Sequence, residues 1–118
     1  MQSVESLLTR LLGLFSSPAG TNRTGSGTNA DVTLTLSAEV GKRSSITSLS
    51  WSYSDAPTGG SIIINDGANP VFRVDVTAAG PGFLPVLIEG SAGAVMTVTL
   101  TAGGADVVGR LNIQAREA

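Results

Sequence analysis

SSITSLSWSYSDAPTGGSIIINDGANPVFRVDVT, residues 44–77, is the stretch whose reading decides the fold. Its breaks at DAPTGG and NDGANP cut it into three short apolar runs in immediate succession, which is how consecutive strands of an antiparallel sheet look in sequence. In the first run Leu49, Trp51 and Tyr53 share one face between serines, while Ile46 stands out of phase and predicts a bulge or the strand start. The second run is Ile62, Ile63 and Ile64. In the third, Phe72, Val74 and Val76 alternate with Arg73, Asp75 and Thr77. The turn signal Asn65-Asp66-Gly67, with a loop running on to Pro70, makes the last two runs a hairpin.

Working outward, the period of two continues on both sides. Residues 31–40 alternate Val32, Leu34, Leu36, Ala38 and Val40 against polar residues, and Gly41, Lys42 and Arg43 make the turn. Residues 78–85, AAGPGFLP, read as a rigid loop displaying Phe83 and Leu84, followed by a short strand over 86–89. Met96, Val98 and Leu100 then take one face of a further strand. Gly103, Gly104 and Asp106 turn the chain into a last strand with Leu111, Ile113 and Ala115 on one side. About seven strands with no helix between them predict an all-β fold, an antiparallel β-sandwich of immunoglobulin-like or jelly-roll type, over residues 31–118. The expected core is Leu49, Trp51, Tyr53, Phe72, Val74, Met96, Val98 and Leu100.

The N-terminal residues have a different period. Val4, Leu7, Leu8, Leu11, Leu12 and Phe15 fall on one stripe of an α-helix over residues 1–16, with Ser3 as N-cap and Pro18 and Gly20 ending the pattern. Glu5 and the interrupting Arg10, with no basic residue ahead of the apolar part, count against a secretory leader; a membrane span needs roughly twenty apolar residues. Residues 17–30 are rich in Gly, Ser, Thr and Asn, have almost nothing to bury, and read as a linker. Burial of six large apolar side chains is worth on the order of 10 kcal/mol, so the stripe must be covered. It either caps its own sandwich or docks into a neighbouring subunit, and a tether of that length favours the neighbour.

Composition narrows function. Only 14% of the residues are charged, against about a quarter in an ordinary soluble domain, and an exterior of Ser, Thr, Asn and Gly suits a protein that sits against other protein. The seven basic residues are scattered and the net charge is -2, so no stripe for nucleic acid exists. His and Cys are absent, which leaves carboxylates for most catalytic or metal-binding roles. Asp55, Asp66 and Asp106 all stand beside predicted turns, where Asp bonds to nearby backbone amides, and are read as turn formers. Residues 20–26 have the glycine spacing of a phosphate loop but carry Ser26 where Lys belongs, and Asn22-Arg23-Thr24 is a sequon common by chance. No enzyme activity, cofactor or metal is expected. Trp51 and Tyr53 are candidates either for the core or, on an open sheet face, for a sugar platform; the core is the stronger reading.

The runs ITSLSWSYSDAPTGGSIIINDG, VFRVDVTAAGPGFLP and VTLTAGGADVVGRLNI together resemble a group of small all-β proteins encoded by tailed bacteriophages, over about residues 45–113. The resemblance implies a virion structural protein, a capsid decoration (cement) protein or a head or tail accessory, and brings no catalytic residues. The expected partners are the major capsid protein or other virion proteins and further copies of the chain, as a dimer or trimer on the capsid surface, with no nucleic acid and no membrane. Val4, Leu7, Leu8, Leu11, Leu12 and Phe15 are the expected contact arm, and Phe83 with Leu84 a second contact. The alternative is a fibre or surface module that binds host glycans or receptors.

Overall fold

The computed structural model describes residues 20–117; the expected helix over 1–16 and its contact residues lie outside them. Eight strands run in chain order: β1 (Gly20–Thr28), β2 (Val32–Leu36), β3 (Ser44–Tyr53), β4 (Gly60–Asp66), β5 (Asn69–Val76), β6 (Gly82–Glu89), β7 (Met96–Leu100) and β8 (Val108–Glu117). They form two four-stranded sheets, one ordered β1-β8-β3-β6 and the other β2-β7-β4-β5. The antiparallel pairs β1 with β8, β2 with β7, β3 with β6 and β4 with β5 are nested. The chain is thus one long hairpin rolled over on itself and closed by the β3–β8 and β4–β7 ladders. That strand order is the jelly roll, which decides between the two topologies expected from the sequence.

Alternation builds the core. Leu111, Ile113 and Ala115 of β8 and Leu49 and Tyr53 of β3 face Val32, Leu34 and Leu36 of β2, Ile62 and Ile64 of β4, and Met96, Val98 and Leu100 of β7. Trp51, Phe72 and Val74 are half-buried and pack against this cluster. Ile46 and Leu49 are both fully buried although three residues apart, which a regular strand forbids. The register shift between Ile46 and Ser48, against both β6 and β8, inserts the extra residue that makes it possible, at the place where the sequence loses phase.

Four expectations are corrected. Residues 20–28, read as linker, form β1 and pair with β8 from Gly20↔Arg116 to Thr28↔Val108, so the sandwich begins eleven residues before 31. This strand buries no large side chain because its inward positions carry Gly25 and Gly27. A Cβ on Gly25 would stand 2.9 Å from Val32 Cγ1, so the bare backbone itself covers β2. The strand expected to reach Val40 stops at Leu36, opposite Met96 where β7 begins; residues 37–43 cross to the other sheet and leave Val40 fully exposed. The 65–70 turn is tighter than expected, with only Gly67 and Ala68 between β4 and β5 and Pro70 already paired with Asn65. The loop expected at 78–85 ends at Pro81, and Phe83 and Leu84 belong to β6.

Candidate functional site

Three of the described carboxylates, Asp31, Asp55 and Asp66, serve the loops. Asp31 Oδ1 accepts from the Ala102 amide at 2.8 Å, and Asp55 Oδ1 from the Ala56 amide at 2.8 Å. The Asp66 carboxylate takes the Ser91 hydroxyl at 2.7 Å and the Ser91 amide at 3.1 Å, and these bonds hold its pKa below the usual carboxylate value. Asp106 sits in the β7–β8 turn at φ 61. At the same end of the sandwich Thr101 is a junction. Its Oγ1 accepts from the Ser61 amide at 2.8 Å and donates to the Gly59 carbonyl at 3.2 Å, and its carbonyl accepts the Tyr53 hydroxyl at 2.9 Å. Burial raises the Tyr53 pKa above its ordinary value. Among the described residues no group of three or more His, Cys, Asp or Glu is placed to hold a metal ion, and no helix is long and apolar enough to cross a membrane.

What the fold does present is one flat outer face, on the sheet β1-β8-β3-β6. Cross-strand pairing lines up Thr24, Asn112, Ser50 and Phe83 in one row and Asn22, Gln114, Ser48 and Pro85 in the next. The Asn112 amide donates to Ser50 Oγ at 3.3 Å, and Thr47 Oγ1 donates to the Gln114 carbonyl at 3.2 Å across the bulge. Hydroxyls and amides, with Arg110 and Arg116 either side of them on β8, thus cover three of the four strands, and a shallow groove of about 240 Å3 runs between them and the Phe83 ring.

The fourth strand differs. In β6, Leu84, Val86 and Ile88 pack against the core, while Phe83, Pro85 and Leu87 point outward. Phe83 is 69% exposed and Leu87 74% exposed, so the outer surface of this edge strand is an apolar stripe about 13 Å long. The other large apolar side chains exposed among the described residues, Val40, Val71 and Val95, lie apart from it. Pro85 also removes one donor from the strand, which suits an edge and discourages another strand from adding to it.

Of the residues expected to make contacts, Phe83 is therefore outside and Leu84 inside; successive residues of a strand face opposite ways. Pro85 and Leu87 were missed. Their signal is legible in GFLPVLIE, a run apolar at both its odd and its even positions, which a strand with one wet face would not be. Trp51, the candidate sugar platform, faces inward against Gly82 and the core.

No protein-family model matches the sequence. No curated protein matches it either. Solved structures share a limited likeness of fold. The CBM36-1 domain of a multidomain xylanase from the hindgut metagenome of Trinervitermes trinervoides is 12% identical, with TM-score 0.48 over 81% of this chain and 94% of its own. The Drosophila NLP core, whose structure concerns pentamer formation and histone binding, is 14% identical with TM-score 0.47, over 83% and 98% of the two chains. A chain of the capsid of Helicobacter pylori bacteriophage KHP30 is 10% identical with TM-score 0.41, over 83% and 98%. Phage capsid proteins are thus among the neighbours, beside proteins of unrelated roles.

Proposed function

We propose that this chain is a structural protein of a bacteriophage virion, a capsid decoration (cement) protein that binds the shell and stabilises it through protein–protein contacts, and that it is not an enzyme. The observation that carries the reading is the β6 stripe. Phe83, Pro85 and Leu87 leave a contiguous apolar stripe exposed on a face otherwise made of polar groups, and such a surface marks a protein contact. The resemblance over residues 45–113 supports the same reading, and so does a jelly roll, an architecture that viral capsid domains use. Asp31, Asp55 and Asp66 are engaged by amides and a hydroxyl of the loops, as turn formers would be. The glycan-binding alternative relied on Trp51 and Tyr53 as exposed rings, and both face inward.

The partners in this reading are the major capsid protein or other virion proteins, together with further copies of the chain, on the capsid surface. The test adds the purified chain to capsids of the encoding phage from which it has been omitted and follows cosedimentation and the temperature at which the shells open. Saturable binding that raises that temperature is expected. Capsids that neither bind the chain nor gain stability would overturn the proposal.

A further inference from the structure

Two apolar features of this chain call for cover: the stripe of Phe83, Pro85 and Leu87, exposed on β6 among the described residues, and the repeat of Val4, Leu7, Leu8, Leu11, Leu12 and Phe15 in the sequence ahead of β1. We infer that they cover one another between copies, residues 4–15 of one chain lying along β6 of the next. This rests on the reading of β6 as a protein contact and names its occupant.

Three features of the fold support it. Wound as a helix, the repeat from residue 4 to 15 is about 17 Å long, a match for a stripe of about 13 Å. The chain enters the sheet at Gly20, which lies in the row Gly20, Arg116, Ser45, Glu89, so the point of entry is at the Glu89 end of the sheet, level with the end of β6 that carries Leu87. That point is, however, on the opposite edge. Three strand spacings, about 14 Å, separate Gly20 from β6, and the five Cα steps from Phe15 to Gly20 reach only about 17 Å when fully extended. To reach its own β6 the segment would need residues 16–19 stretched almost straight across β8 and β3. The β6 edge of an adjacent copy involves no such crossing.

The contact has a symmetry. Because the donor edge is β1 and the acceptor edge is β6, it is heterologous, and repeated head to tail it closes into a ring when the rotation allows. Every copy in the ring then has its segment bound and its stripe covered.

The experiment uses the full chain. Native mass spectrometry and sedimentation velocity are expected to show one closed oligomer, and Leu87→Asp to convert it to a monomer that keeps the β-sheet circular dichroism and the Trp51 emission of the folded chain, since Leu87 is outside the core. Thr35→Asp, on the exposed face of the other sheet, is expected to leave the oligomer intact. The chain contains no cysteine, so a Leu11→Cys, Leu87→Cys double variant reports directly: oxidation is expected to link different chains. A monomeric full chain, an oligomer indifferent to Leu87→Asp, or a disulfide formed within a single chain would each overturn the inference. A ring that ignores capsids would sink the decoration reading and leave this one standing; a monomer that binds capsids would do the reverse.

Discussion

Gly82 lies against Trp51 so closely that a Cβ added to it would stand 2.3 Å from Cε2 of the indole. The two residues are cross-strand partners in the β3–β6 ladder, and the missing side chain of one makes the space for the ring of the other. Gly82→Ala is therefore expected to cost about 1–3 kcal/mol through overpacking. As Trp51 is the only tryptophan, its emission reports the same event: a red shift with a lower urea midpoint is expected, and an unchanged midpoint would show that β6 is free to move away.

Thr101 ties β3, the β3–β4 loop and β4 together through one hydroxyl and one carbonyl. Thr101→Val keeps the shape and leaves the Ser61 amide and the Gly59 carbonyl without their partner, for an expected loss of about 1–3 kcal/mol. Tyr53→Phe removes only the 2.9 Å bond to the Thr101 carbonyl, and about 1 kcal/mol is expected. The two losses should add to less than their sum in the double variant, because both changes act on Thr101.

Stability is expected to fall at both extremes of pH, for separate reasons. The Asp66 pKa is lowered in the folded chain by the Ser91 bonds, so its contribution is fully present above the ordinary carboxylate value and is lost as pH drops through the lowered one. The Tyr53 pKa is raised by burial, so its contribution holds below pH 10.0 and is lost as pH climbs through the raised value. Denaturant midpoints across pH for Asp66→Asn and Tyr53→Phe should each flatten one limb and leave the other.

Arg23 is the trypsin site that tests β1. In a linker the bond after Arg23 is cut early, whereas in a strand paired with Ile113 it is protected. Limited digestion followed by intact mass is expected to show cleavage after Lys42 and Arg43, in the exposed crossing between sheets, well before any after Arg23.

The strands that alternate large apolar with small polar side chains were legible in the sequence. Leu49, Met96, Val98 and Leu100 are buried, and even the bulge announced itself through the phase error at Ile46. What escaped was the part whose stability comes from partners and not from its own side chains. β1 has no apolar residue to give a period; it is held by nine backbone pairings to β8 and by the thinness of Gly25 and Gly27. With nine of its residues in that strand, the long tether that favoured a far-reaching arm is gone. The contact stripe escaped for a related cause: the Gly and Pro residues at 80–85 signalled a loop, although Pro is compatible with an edge strand.

The nesting of the four strand pairs makes the polypeptide nearly circular. Gly20 faces Arg116 across a single ladder rung, so the two ends of the sandwich are neighbours while the hairpin at Gly67 and Ala68 is the loose tip of the roll. A short bridge from residue 117 to residue 20, with the chain reopened at that tip, would preserve all eight strands and their order. Tension applied between residues 20 and 117 would instead load the β1–β8 ladder first and peel it one rung at a time.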